Sequence, residues 1–150
     1  PDLPPDPRFR RAPVLTPEVV AIVSPDNPMA GRTTVTLAEL AANPLVFRSP
    51  GSSTQKLVDR GFRHAGLSPE PRLIADTRDA VYEAVALGIG VGFMWRYGTY
   101  RSDVVRRLTV PEFRSTVDEV VFALSDESNG LVDLFFNVAA QFRPEQMTTG

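Results

Sequence analysis

Apolar residues along this chain fall into two patterns, short unbroken runs and helically spaced stripes, and the two alternate. Val19-Val20-Ala21-Ile22-Val23 and Pro44-Leu45-Val46-Phe47 are runs with no helical period, which predicts strands, the second buried on both faces as in a parallel sheet. Arg72 to Asp76, Ile89 to Trp95, Val105 to Val110 and Glu119 to Leu124 read as further strands. Between them lie stripes. Leu57, Val58, Phe62 and Ala65 recur at helical spacing while Lys56, Asp59, Arg60 and Arg63 face water. Ala80, Val81, Ala84 and Val85 form a second apolar side, and Leu131, Leu134, Phe135, Val138, Ala139 and Phe142 a third that demands a core to cover it.

Punctuation agrees with this division. Thr36 and Glu39 form a capping box for a short helix that ends before Asn43-Pro44. Pro50-Gly51 breaks the second strand, Ala65-Gly66-Leu67 closes the helix after it, Thr77 caps the next, and Gly88 stops that one. Residues 72 to 95 then form a strand-helix-strand unit with a right-handed crossover. Alternating strands and helices predict α/β layers. Six of the fourteen prolines stand in residues 1 to 18, so the start reads as an extended arm with an edge strand around Phe9 to Val14.

The junction Phe47-Arg48-Ser49-Pro50-Gly51-Ser52-Ser53-Thr54-Gln55 carries the candidate chemistry. A helix starting near Ser52 or Ser53 leaves its first N–H groups without intrahelical partners at the positive end of the macrodipole, among the hydroxyls of Ser49, Ser52, Ser53 and Thr54. Carboxylates, phosphates and sulfates bind well in such places. Ser and Thr are also the preferred caps, but one cap needs one hydroxyl. Both readings stand on local pattern alone.

Composition narrows the classes. Hydrophobic residues make up 43% and charged residues 23% of 150 residues, which suits a folded core in one domain or two small lobes. A net charge of -2 gives no basic footprint for nucleic acid. The absence of Cys excludes thiolate metal sites and cysteine nucleophiles, and a single His, His64, leaves no His cluster and little scope for a triad. His64, late in a helix and before Gly66, has a structural role there. No metal or cofactor is called for. No apolar run is long enough to span a bilayer, and Pro1 to Pro7 lacks the regions of a signal peptide, so a cytoplasmic location is expected.

Two motif readings fail on context. Gly88-Ile89-Gly90-Val91-Gly92 lies at a helix end and inside a strand, where close strand packing explains glycine better than a dinucleotide loop. Pro50 to Lys56 lacks the Gly-Lys-Ser/Thr ending of a phosphate loop. Open α/β sheets bind ligands beyond the carboxyl ends of their strands, and three such ends occur here, at Ser49 to Thr54, Asp76 to Arg78, and Trp95 to Tyr97. Arg96 offers a bidentate donor or a surface ion pair. Trp95 offers an apolar wall or a core aromatic, and Arg78 a site cation or an exposed first-turn residue.

Taken in order, Ser24-Pro25-Asp26-Asn27-Pro28-Met29-Ala30, Thr36 to Val46, Arg48-Ser49-Pro50-Gly51-Ser52-Ser53-Thr54, Ala65-Gly66-Leu67 and Asp79 to Val91 resemble the effector-binding domain of LysR-type bacterial transcriptional regulators. The resemblance implies a periplasmic-binding-protein type II-like, Rossmann-like α/β fold. Residues 1–24 would form an arm and crossover strand of the first lobe, 25–112 the second lobe, and 113–150 a return strand and C-terminal helix of an incomplete first lobe. It implies no catalysis, and a small anionic or zwitterionic metabolite in the inter-lobe cleft that alters a dimer or tetramer on DNA. DNA would be bound only through a winged helix-turn-helix absent from this chain. Ser49, Gly51, Ser52, Ser53 and Thr54 match the family's effector-contacting turn, and Thr77 with Arg78 a second contact point. Trp95 and Arg96 match the cleft loop, although the family usually has Pro where Trp95 stands, which implies a pocket particular to a subfamily. A transporter solute-binding protein shares the fold and is the alternative. An enzyme on the same lobes would need a positioned acid–base pair, where these turns offer hydroxyls and Arg.

Overall fold

The runs become strands and the striped segments helices, in the order β1 (Phe9–Leu15), β2 (Val19–Val23), α1 (Leu37–Ala41), β3 (Val46–Arg48), α2 (Ser53–His64), β4 (Leu73–Ala75), α3 (Arg78–Ala86), β5 (Gly92–Trp95), β6 (Arg106–Thr109), a 3-10 turn at Pro111–Phe113, β7 (Glu119–Leu124) and α4 (Gly130–Gln141). This computed structural model describes residues 6–97, 104–113, 119–126 and 129–141. The chain divides into two units, Glu18–Arg114, and Pro1–Pro17 with Ser115–Gly150.

In the Glu18–Arg114 unit, β2 lies between β5 and β6 and runs antiparallel to both. β3 pairs in parallel with β4. A parallel bridge at Leu45 and Val91, with Val46 N–H on the Val91 carbonyl at 2.8 Å, joins the two groups in the order β4-β3-β5-β2-β6. The expected strand-helix-strand unit is therefore present, but β3 lies between its two strands. β3, β4, β5 and β6 all point the same way, so their carboxyl ends share one edge of the sheet with the amino end of β2.

Every residue of β2 is fully buried, and the side chains divide by alternation. Val19, Ala21 and Val23 face a core shared with Leu37 and Leu40 of α1, Val58 and Phe62 of α2, and Phe113. Val20 and Ile22 face Val81, Tyr82, Ala84 and Val85 of α3. On the first face Phe62, Phe93 and Phe113 meet edge to face, with centroids 5.7–6.4 Å apart. Among the described residues β4 is the sheet's edge, which leaves Ile74 55% exposed.

The caps form as the sequence predicts. Thr36 accepts from Glu39 N–H at 3.3 Å while the Glu39 carboxylate accepts from Thr36 N–H at 2.8 Å. Arg32 adds a salt bridge to that carboxylate at 2.7 Å. The buried face of α2 differs from the expected stripe: Thr54 and Gln55 are buried with Val58 and Phe62, Leu57 is half-buried, and Ala65, past the helix end, is exposed.

In the other unit β1 and β7 form an antiparallel ladder, Phe9 opposite Leu124 and Ala12 opposite Val121. Arg10 fastens α4, pairing with Asp133 at 2.7 Å and lying over the Phe136 ring at 4.1 Å. The apolar stripe of α4 is not covered among the described residues: Leu131, Leu134, Phe135 and Val138 are 57–74% exposed, and only Ala139 is buried. Phe142, the last residue of the expected stripe, lies outside the described residues.

Glycine at 92 lets α3 approach the sheet. A Cβ there would stand 2.7 Å from Val85 Cγ2 and 2.8 Å from Val81 Cγ1, and both neighbours are rotamer-restricted valines. Gly92→Ala is expected to lower stability by about 1–3 kcal/mol in urea unfolding, the usual cost of overpacking. The capping box gives a pH prediction. The Arg32 guanidinium first, then the Thr36 N–H and hydroxyl, pull the Glu39 carboxyl from its usual 4.5 down to about 2. A depressed folded-state value stabilises above pH 4.5, and that contribution is lost as pH falls toward 2. Glu39→Gln should flatten the melting temperature against pH across that window.

Candidate ligand-binding site

The carboxyl edge gathers the three predicted strand ends within the Glu18–Arg114 unit. β3 runs out at Arg48, and Ser49 N–H donates to the Ala75 carbonyl of β4 at 3.1 Å. The chain then turns through Gly51, whose φ of 97° lies in the left-handed region that favours glycine. Ser52 is the N-cap of α2, accepting weakly from Gln55 N–H at 3.5 Å. The Ser53 and Thr54 N–H groups, the first two of α2, take no acceptor among the described residues. Neither do the hydroxyls of Ser49, Ser53 and Thr54 receive or donate a hydrogen bond there. No acidic residue stands in the first turn of this twelve-residue helix, so two amides and three hydroxyls lie without partners near its positive end, Ser53 exposed, Ser49 half-buried, and Thr54 buried on the stripe that also carries Val58 and Phe62.

Gln55 fixes this turn. It is 5% exposed, its Oε1 accepts from Arg48 N–H at 2.9 Å, and its Nε2 donates to Asp59 Oδ1 at 2.7 Å. The Ser-x-x-Gln spacing from Ser52 signals a capping box. Here the amide reaches the end of β3 instead of the cap, pinning α2 to the strand that precedes it. That role escaped the sequence reading although the pattern was visible. Arg48 adds a second tie, its Nη2 donating to the Asp76 carbonyl at 3.0 Å.

The other predicted residues are placed as follows. Thr77 is the N-cap of α3, its Oγ1 accepting from Ala80 N–H at 3.0 Å, and Arg78 is exposed on the first turn of the same helix. Trp95 is half-buried and packs against the core on the α2 side of the sheet. Arg96 is engaged inside the unit: its N–H donates to the Glu18 carbonyl at 2.8 Å, its Nε to Glu18 Oε2 at 2.6 Å, and its Nη2 to Thr109 Oγ1 at 2.7 Å. Glu18 and Thr109 were not legible as partners, since Glu18 lies 78 residues before Arg96. Among the described residues no cluster of His, Cys, Asp or Glu could hold a metal ion, and no helix is long and apolar enough to cross a membrane.

This arrangement can bind and orient a small polar molecule. The fold is of the periplasmic-binding-protein type II-like α/β kind, shared with solved LysR regulatory domains. The chain belongs to the LysR substrate binding domain family, which matches residues 1–142. The transcriptional regulator CysB of Burkholderia cenocepacia is 38% identical over 74 residues, 49% of this chain and 24% of that protein. The RuBisCO operon transcriptional regulator of Allochromatium vinosum is 34% identical over 73 residues, again 49% of this chain and 24% of that protein. Matched segments thus span about a quarter of these relatives. The solved regulatory domain of Synechocystis CcmR, in complex with 2-PG, has a TM-score of 0.71 at 20% identity, covering 93% of this chain and 69% of that one. The effector binding domain of QuiR, in complex with shikimate, gives 0.65 at 19% identity, with 93% and 67% covered. The family and these relatives are regulators, not enzymes, and the solute-transport alternative gains nothing from them.

Gln55→Leu, which roughly keeps the volume and removes both polar contacts, should leave the half-buried Arg48 N–H without its acceptor. A loss of about 1–3 kcal/mol is expected in urea unfolding.

Proposed function

We propose that this chain is the small-molecule-sensing part of a LysR-type transcriptional regulator. Its effector is a small anionic or zwitterionic metabolite, and binding alters the geometry of a DNA-bound oligomer, a dimer or tetramer. The observation that carries the reading is the start of α2, where the Ser53 and Thr54 amides and the Ser49, Ser53 and Thr54 hydroxyls are left without partners among the described residues. Ser53 is exposed and Ser49 half-buried, so water or a ligand can serve their groups, while Thr54 is buried. Leaving several together at a helix N-terminus suits an anion that arrives from solution.

In this reading the α2 amides and hydroxyls take the anionic group, Ser52 and Gly51 shape the turn, and Thr77 with Arg78 contributes from the neighbouring strand end. Trp95 forms an apolar wall, and Arg96 is a donor held in place by Glu18. The CcmR domain with 2-PG and the QuiR domain with shikimate support it as small-molecule complexes of the same fold.

A thermal-shift screen of organic acids, amino acids and phosphonates tests it. A genuine effector raises the melting temperature of the wild-type chain in proportion to RT ln(1 + [L]/Kd), and Ser49→Ala and Thr54→Ala should each reduce that rise. Equal stabilisation of all three proteins would move the anion elsewhere.

A further inference from the structure

Arg96 is held in a way that bears on which ligands the edge accepts. A guanidinium has five N–H donors in a fixed fork. Here Nε goes to Glu18 Oε2 at 2.6 Å and one Nη2 proton to Thr109 Oγ1 at 2.7 Å, while Nη1 takes no acceptor among the described residues. The Arg96 and Glu18 side chains are 29% and 32% exposed, so the pair is about two-thirds out of water. Glu18 and Thr109 flank β5 on the far side from β3: Val19 is opposite Trp95 and Val20 opposite Thr109. β3 is the neighbour on the near side, bridged to the start of β5 at Leu45 and Val91, so Ser49 and Arg96 follow adjacent parallel strands out of the same edge.

We propose that Glu18 sets the charge specificity of this edge: the end of the ligand that reaches Arg96 is an uncharged oxygen, from a hydroxyl, carbonyl or amide, and its one carboxylate goes to the α2 amides. The inference rests on the ligand-site reading above. The reason is electrostatic. Glu18 already balances the Arg96 charge at contact distance, and a second carboxylate on Nη1, roughly 6–7 Å from the Glu18 oxygen across the planar fork, would keep only a residue of the attraction, too little to offset its removal from water. A neutral acceptor meets the same donor without that cost and still gains a charge-assisted hydrogen bond. Thr109 and Glu18 act as positioning residues, since both hold the guanidinium and neither needs to touch the ligand.

The test uses probe pairs that differ only at one terminus, succinamate against succinate and malonamate against malonate, titrated calorimetrically into the wild-type chain and Glu18→Gln. In the wild type the half-amide should bind about 10-fold tighter than its diacid, the order of cost for desolvating a second carboxylate beside a charge that is already balanced. Glu18→Gln keeps an acceptor for Arg96 Nε and removes the charge, so the diacid should gain and the preference should vanish. Equal or tighter diacid binding by the wild type overturns the inference, and so does an unchanged preference in Glu18→Gln. The wild-type ratio decides even if the variant does not fold. Ser49→Ala combined with Thr54→Ala separates the two claims: both members of a pair should weaken alike if the α2 seat is real. No binding of any probe by the wild type would remove the seat, and this inference with it.

Discussion

The Glu18–Arg114 unit depends on taking one strand wholly out of water. All five residues of β2 are fully buried, and no strand can be buried so completely unless both backbone edges are hydrogen-bonded and both faces are covered. β5 and β6 satisfy the edges. α1, α2 and the turn at Phe113 cover one face, and α3 covers the other. Each fully buried Val or Ile contributes about 1.5–3 kcal/mol by transfer. The position of the candidate site follows from this constraint. Two helices must pack on opposite faces of a largely parallel sheet, so both start at the carboxyl edge, and their N-termini and caps meet there.

That edge is divided in its chemistry. Thr77 is used as a cap, Ser52 as a weak one, and Gln55 is spent on holding α2 to β3. Arg96 is spent partly on Glu18 and Thr109. What remains for the proposed ligand is the surplus: the first amides of α2, the hydroxyls around them, and one side of a guanidinium. Residues that serve structure thereby hold the functional groups rigid, and a rigid donor loses less entropy when it binds.

Local features were the legible ones. β2, the Thr36 and Thr77 caps and the start of α2 could be read from run length and spacing, because each depends on residues within one or two turns of itself. The comparison also supports the family resemblance, which rested on the order of loose motifs. What depended on distant neighbours was not legible. Nothing in Leu73-Ile74 says that β4 is an edge strand with Ile74 in solvent, because exposure is set by which strand lies beside it. The Glu18–Arg96 pair links residues far apart in sequence, and the alternatives left open for Arg96 could not be weighed without it. Gln55 was legible in principle, since Ser52-x-x-Gln55 is a recognised spacing, but its actual partner was set by the end of β3. The α4 stripe shows the opposite case. Its periodicity was correct, yet the core it called for is not found among the described residues.

The central claim is that the start of α2 is an anion seat prepared by the sheet beneath it, and amide chemical shifts under sulfate titration test it most directly. The account predicts saturable shifts that are largest at Ser53 and Thr54 N–H, smaller at the Thr77–Arg78 helix start, and absent at the His64 end of α2. Shifts that never saturate, or that spread over exposed arginines while Ser53 and Thr54 stay still, would contradict it.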